Sequence, residues 1–383
     1  MKETNFFSNF KDLSAVGVAN IIPTAIGGLF WFYVATLVQV EEYGEINYLL
    51  AIAGIAGMIS MLGAGSSVTV YTAKGENIIP AISFFAILSS IFSASILYVV
   101  LDDFGTSIWI VGFVIFGIIT AELLGSKMYS KYAKFVILQR LLMVGFAILF
   151  YNLFGYQGII LGIAISFFPF SFQLYRSFKG QKFEFNDLKL RKKFLMNNYV
   201  LELSRTFSGS TDKLIIAPIF GFVLLGNYQL GVQLLSLLTI LPVIVYQYTL
   251  PRDSKGEHDS KLKKLTIIVA IIIALISFFV SPILIKELFP KFTEAIEVVK
   301  VISFVLIPIT INLMYISEFL GNLRSKIVLI GSGIFLAVQI PGIIILGEFL
   351  GILGVVSGLL LGNSAETVYL ILMKRKLRNL TIK

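Results

Sequence analysis

Apolar stretches long enough to cross a bilayer follow one another from one end of the chain to the other. A helix rises about 1.5 Å per residue, so some 20 apolar residues match a hydrocarbon core about 30 Å thick. Twelve such spans are predicted, at about 13–38, 46–71, 78–100, 106–125, 134–153, 156–175, 197–222, 225–250, 264–286, 296–317, 325–347 and 350–373. Only 14% of the 383 residues are charged, against about 25% in soluble domains. The mean hydropathy is +0.89. An all-α membrane protein is therefore expected. There are no cysteines, which excludes disulfide, iron–sulfur and cysteine–zinc chemistry. The one histidine, His258, sits in the charged stretch RDSKGEHDSKLKK and reads as a solvated loop residue. The opening MKETNFFSNFKDLS has no apolar core of its own, so no cleavable signal is expected.

Basic residues set the orientation. With both termini on the cytoplasmic side, 25 of the 31 lysines and arginines fall in inner segments, and only Lys286 and Lys291 fall in outer ones. The positive-inside rule thus accounts for a net charge of +9 without nucleic acid. A multi-pass protein of the cytoplasmic membrane with both termini inside is expected. The outer connections are short and hold no soluble domain. The longest inner segment, 176–196, is basic and should lie against anionic lipid headgroups. It separates an N-terminal bundle of six spans (1–175) from a C-terminal bundle of six with a short basic tail (197–383).

The two halves resemble one another. ATLVQVEEYGEINY (35–48) aligns on APIFGFVLLGNYQL (217–230), matching Gly44 with Gly226. AELLGS (121–126) aligns on SEFLGN (317–322), and FGYQGIILGIAIS (154–166) on GEFLGILGVVSG (347–358) with a one-residue gap. Their common order predicts a parallel repeat: two six-helix bundles related by an axis along the membrane normal, as in transporters.

Within NNYVLELSRTFSGSTDKLIIAPIFG (197–221) four charges interrupt the apolar pattern: Glu202, Arg205, Asp212 and Lys213. At 100° per residue they fall within an arc of about 100°, so one face of a helix carries them all. Charges this deep cost about 2.5–3.5 kcal/mol each unless they face a water-filled cavity or charged partners. They either line a cavity or pair among themselves, beginning with Glu202 and Arg205 one turn apart. Arg140, in FVILQRLLMVGF, is a further intramembrane cation that either lines the cavity or snorkels to the interface. Lys300 reads as snorkelling. Glu122 and Glu318 occupy matching repeat positions near the cytoplasmic face, as gate carboxylates or ordinary interfacial residues. Glu366, in GNSAETVYL, is placed two turns inside the last span, to line the cavity or pair with a basic residue.

Enzyme signatures are missing: there is no Walker A motif, no HExxH and no GxSxG, and Asp102–Asp103 reads as a turn. The chain resembles the polysaccharide (O-antigen-type) flippases of the multidrug/oligosaccharidyl-lipid/polysaccharide exporter superfamily. The likeness lies in VEEYGEINYLLAIAGIAGMISMLGAGSS (40–67), RTFSGSTDKLIIAPIFGFVLLGNYQLGVQL (205–234) and ELFPKFTEAIEVVKVIS (287–303). It implies that a polyprenyl-phosphate- or diphosphate-linked oligosaccharide is moved to the outer leaflet by alternating access, for surface polysaccharide assembly and alongside other assembly proteins. No cofactor is implied beyond a proton or Na⁺ as coupling ion. Arg140, Arg205 and Lys213 would then hold the phosphate, because guanidinium donors suit phosphate oxygens. Glu202, Asp212 and Glu366 would couple to the ion. The rival readings are a drug or small-cation exporter of the same superfamily, a membrane polysaccharide polymerase, which would need a larger outer loop, and a purely structural protein.

Overall fold

The computed structural model describes residues 6–76, 79–178, 191–257 and 259–381. Most of the basic segment 176–196 and His258 lie outside the described residues. Among the described residues there is helix and no strand. The helices are α1 (Phe6–Leu37), α2 (Val40–Met61), α3 (Ala64–Ala73), α4 (Ile79–Leu101), α5 (Phe104–Gly125), α6 (Tyr129–Phe154), α7 (Tyr156–Ile165) and α8 (Ser171–Phe178). They continue with α9 (Lys192–Leu238), α10 (Ile240–Asp253), α11 (Ser260–Leu288), α12 (Ala295–Gly321), α13 (Ser325–Leu350) and α14 (Ile352–Thr381). Among the described residues ten helices are long and apolar enough to cross a membrane, and Ile22–Leu37 adds a shorter one. One of the ten, Gly209–Leu238, kinks at Gly221 (φ 85°, ψ 169°). That kink separates the seventh predicted span from the eighth.

Three predicted spans are broken. Span 46–71 is interrupted at Leu62 (φ 50°) and Gly63 (φ 74°), between α2 and α3. Span 156–175 is interrupted by a 3-10 turn at Phe168–Phe170, whose Pro169 has no N–H to continue the ladder. Span 225–250 is interrupted at Thr239. The outer corner expected at 39–45 is helical from Val40 onward, with acidic Glu41 and Glu42 in its first turn.

The chain forms two compact units, Met1–Phe30 with Tyr48–Ser210, and Trp31–Asn47 with Thr211–Lys383. In the first, α5 lies at the centre, and its Val114, Ile118, Ile119 and Leu123 pack with Val68 of α3 and Ile82 and Ala86 of α4. The other face of α4 exposes Phe84, Phe85, Leu88, Ile91 and Phe92. Such a broad apolar surface belongs against lipid. In the second unit α12 takes the central place, with Val298, Val299, Ile302, Val305 and Leu306 fully buried, while α11 exposes Ile268, Ile272, Leu275, Ile276 and Phe279.

The repeat is visible residue by residue. Gly155 (φ 69°, ψ −155°) turns α6 into α7, and Gly351 (φ 59°, ψ −135°) turns α13 into α14. Residues with side chains avoid that conformation. A methyl on Gly158 would lie 2.1 Å from the Phe150 carbonyl oxygen, and one on Gly354 1.8 Å from that of Leu346. Gly162 and Gly358 press in the same way on the backbone nitrogens of Ala147 and Ile343. Each pair is separated by 196 residues, the same offset as AELLGS and SEFLGN, so the one-residue gap in the expected alignment of this hairpin is not needed. In the second unit, Gly44 packs on the Phe222 carbonyl and Gly226 on that of Val40, so the aligned glycines of the other match face one another.

Candidate functional site

The boundary between the two units falls between Ser210 and Thr211, inside the charged stripe of α9. Glu202 and the Asp212–Lys213 pair are accordingly held in two separate environments.

In the first unit, the break before α3 exposes backbone N–H groups that have no partner within the helix. Glu202 supplies one. Its Oε1 accepts from the Ser66 backbone N–H at 2.9 Å and from the Ser66 hydroxyl at 2.6 Å. A carboxylate at the start of a helix is favourably placed. The second oxygen, Oε2, is buried with no hydrogen-bond partner. Glu202 borders a cavity of about 570 Å³, whose walls include Ser66, Thr69, Thr120, Tyr132, Met58 and Met61. The backbone of Arg205 continues the helix, but its side chain lies outside the described residues.

Arg140 sits on α6 of the same unit. Gln139 beside it donates to the Ser166 hydroxyl at 2.9 Å. One Arg140 Nη donates to the Met143 thioether at 3.4 Å, and Nε is buried without a partner. A snorkelling arginine would reach back toward Tyr129 at the start of α6; this one reaches one turn further into the helix. Among the described residues no carboxylate pairs with it. Glu122, in the last turn of α5, accepts from the Ser177 hydroxyl at 2.6 and 2.7 Å.

In the second unit, Asp212 Oδ2 accepts from the buried Tyr228 hydroxyl at 2.9 Å. Its Oδ1 accepts from the Lys213 backbone N–H at 2.8 Å and lies 3.6 Å from the Lys213 ammonium. Glu366, 7% exposed, accepts from Asn312 Nδ2 at 3.2 Å. Thr367 in turn donates to Asn312 Oδ1 at 2.7 Å, and the Asn312 amide donates to the Asn363 carbonyl at 3.1 Å. No lysine or arginine among the described residues pairs with Glu366. Glu318 pairs with Lys374 at 2.7 Å, near the end of α14. Its repeat counterpart Glu122 also meets the end of the sixth predicted span, so the two carboxylates are used alike. Lys300 pairs with Glu297 at 2.8 Å near the start of α12. Asp103 caps α5, accepting from the Gly105 and Thr106 N–H groups at 2.9 and 3.2 Å.

Sequence reasoning picked out the charges and missed their neutral partners, Ser66, Tyr228 and Asn312. The signal for Ser66 was the glycine-rich LGAGSS at a helix break, and for Asn312 a lone amide within an apolar run.

No protein-family model matches the chain, and no curated protein matches it in sequence. Solved structures do match. A multidrug resistance transporter of the MATE family of the MOP superfamily, in an inward-facing conformation, has a TM-score of 0.74. The match covers 97% of this chain and 99% of that one at 14% identity. The lipid II flippase MurJ, in an inward closed conformation, has a TM-score of 0.75 over 94% of this chain and 87% of its own, at 15% identity. A MATE transporter in complex with MaD5 has a TM-score of 0.66 over 97% of each chain, at 13% identity. The chain is thus a multi-pass membrane protein with the fold seen in MATE transporters and in MurJ.

Proposed function

We propose that this protein is a flippase that moves a polyprenyl-phosphate- or diphosphate-linked oligosaccharide from the cytoplasmic to the outer leaflet, for surface polysaccharide assembly, by alternating access. The fold it shares with a lipid II flippase supports the reading. The observation that carries it is Arg140: an intramembrane guanidinium turned inward, with no acidic partner among the described residues. A cation left uncompensated at that depth calls for an anion, and a phosphate headgroup is an anion that a planar guanidinium binds bidentately. Arg205 and Lys213 are further candidates for binding phosphate.

The ion-coupling candidates differ in their surroundings. Asp212 has the Lys213 ammonium beside it. Glu366 is bonded by a neutral donor alone among the described residues. A buried carboxylate without a cationic partner calls for a neutralising proton or Na⁺, so Glu366 is the better coupling site, with Glu202 and Asp212 as the further candidates.

The test is translocation of a lipid-linked oligosaccharide in proteoliposomes. Arg140→Ala should abolish it while leaving the protein in the membrane, and Arg140→Lys should restore it only in part. Full activity of Arg140→Ala would remove the phosphate role. Glu366→Gln should transport with a weakened response to an imposed pH or Na⁺ gradient. A second reading, export of an organic cation, is favoured by one observation: Glu202 is the one charged residue lining the first-unit cavity among the described residues, with Met58, Met61 and Tyr132 beside it. Dye efflux lost in Glu202→Gln, with lipid translocation absent from the wild type, would select it.

A further inference from the structure

A smaller cavity of about 140 Å³ opens where α11 begins and where α12 and α14 end. Lys263, Lys264, Lys374 and Glu318 supply its charges, and Ile267, Met314 and Tyr315 its apolar wall. Two of the lysines are already engaged. Lys263 is buried against Asp253 at 2.5 Å, and Asp253 also accepts from the Ser317 hydroxyl at 2.6 Å. Lys374 pairs with Glu318 and lies over the Tyr315 ring, 5.1 Å from its centre. Lys264 is exposed and makes no ion pair among the described residues. Three ammonium groups therefore meet two carboxylates, and one positive charge is left over at the mouth.

The position narrows the ligand. These helix ends lie on the side that the positive-inside rule makes cytoplasmic, at the level where apolar helix gives way to basic loop. Lipid phosphates are the anions at that depth, and basic pockets between helix ends on the cytoplasmic side suit anionic headgroups. A cationic mouth over an apolar wall matches a phosphodiester joined to glycerol and the first methylenes of a chain. The space admits a phosphate group. We infer that this cavity binds the phosphate of an anionic phospholipid of the inner leaflet, with Lys264 and Lys374 holding the phosphate oxygens. The inference does not depend on which cargo is transported.

The experiment is native mass spectrometry of the purified full-length protein from nanodiscs of phosphatidylcholine with or without phosphatidylglycerol. The wild type should retain phosphatidylglycerol in preference to phosphatidylcholine. Lys264→Ala with Lys374→Ala should lower that retention about thirtyfold, since each headgroup-level lysine contributes about a fivefold part. The arginine pair at the same positions should retain it, and Lys300→Ala should leave it unchanged. Should the double alanine variant fail to fold, Lys264→Glu alone, at an exposed position, decides in its place. Wild-type retention in these variants overturns the inference. Displacement of the lipid by millimolar inorganic phosphate overturns the lipid assignment in favour of a free-anion site.

Discussion

Asp253 and Lys263 are both buried, and their ion pair joins the end of α10 to the start of α11, with Ser317 of α12 as a third member. Removing one partner of a buried pair leaves the other charge uncompensated, at a cost of about 3–5 kcal/mol. Lys263→Ala should therefore lower thermal stability in detergent sharply. The double change Asp253→Asn with Lys263→Met should recover most of the loss, because neither residue then carries a buried charge. Ser66 is a different case. It gives Glu202 both a backbone and a hydroxyl donor, and Ser66→Ala removes only the second. The expected cost is about 1 kcal/mol, the net value of a single hydrogen bond. A loss as large as that of Lys263→Ala would mean that the hydroxyl holds the α2–α3 break together.

The paired hairpins give the sharpest expectation for whole elements. Gly158→Leu and Gly354→Leu each force a side chain into the backbone of the preceding helix. Overpacking of this kind typically costs about 1–3 kcal/mol, more where backbone must move. The two variants should be destabilised alike, as measured by melting in detergent, since each meets the same atoms of its own repeat. Unequal losses would show that the two hairpins, though built alike, do not carry equal weight. Much of this was legible in the sequence. Span positions follow from length and hydropathy, and short motifs in a common order marked the repeat, although the hairpin match at 347–358 was set out of register with the glycine pairs. The breaks at Leu62–Gly63, Phe168–Phe170 and Thr239 were not legible, because hydropathy stays high across them and only the backbone changes. The candidate site divides in the same way. Charges such as Glu202, Arg140 and Glu366 stand out against apolar neighbours. Their partners Ser66, Tyr228 and Asn312 are neutral residues common in any span, and only the fold brings them close. The helical arc that grouped Glu202 with Asp212 was also correct as periodicity, but periodicity runs on through Ser210 and Thr211, where one compact unit ends and the other begins.

At the scale of the molecule, the expectation concerns sidedness. The chain has no native cysteine, so a single introduced one reports without background. Ser254→Cys, beyond the end of α10, should react only with reagents applied from the cytoplasmic side. Glu348→Cys, exposed at the far end of α13, should react only from outside. Asp103 is a poor choice for this purpose, because its carboxylate caps α5. Labelling of both cysteines from the same side would overturn the orientation. The one-glycine turns at Gly155 and Gly351 carry a consequence for how the protein is made. A turn of that length presents no hydrophilic segment for the cell to push through the bilayer. Polar backbone left unpaired in hydrocarbon is what makes such a passage costly, and here almost none has to make it. Each hairpin can enter as a wedge already closed on itself, α6 against α7 and α13 against α14. A stretch of polar residues inserted at Gly155 or Gly351 would then slow biogenesis before it disturbed the finished fold, and pulse-labelling of newly made chains would register the delay.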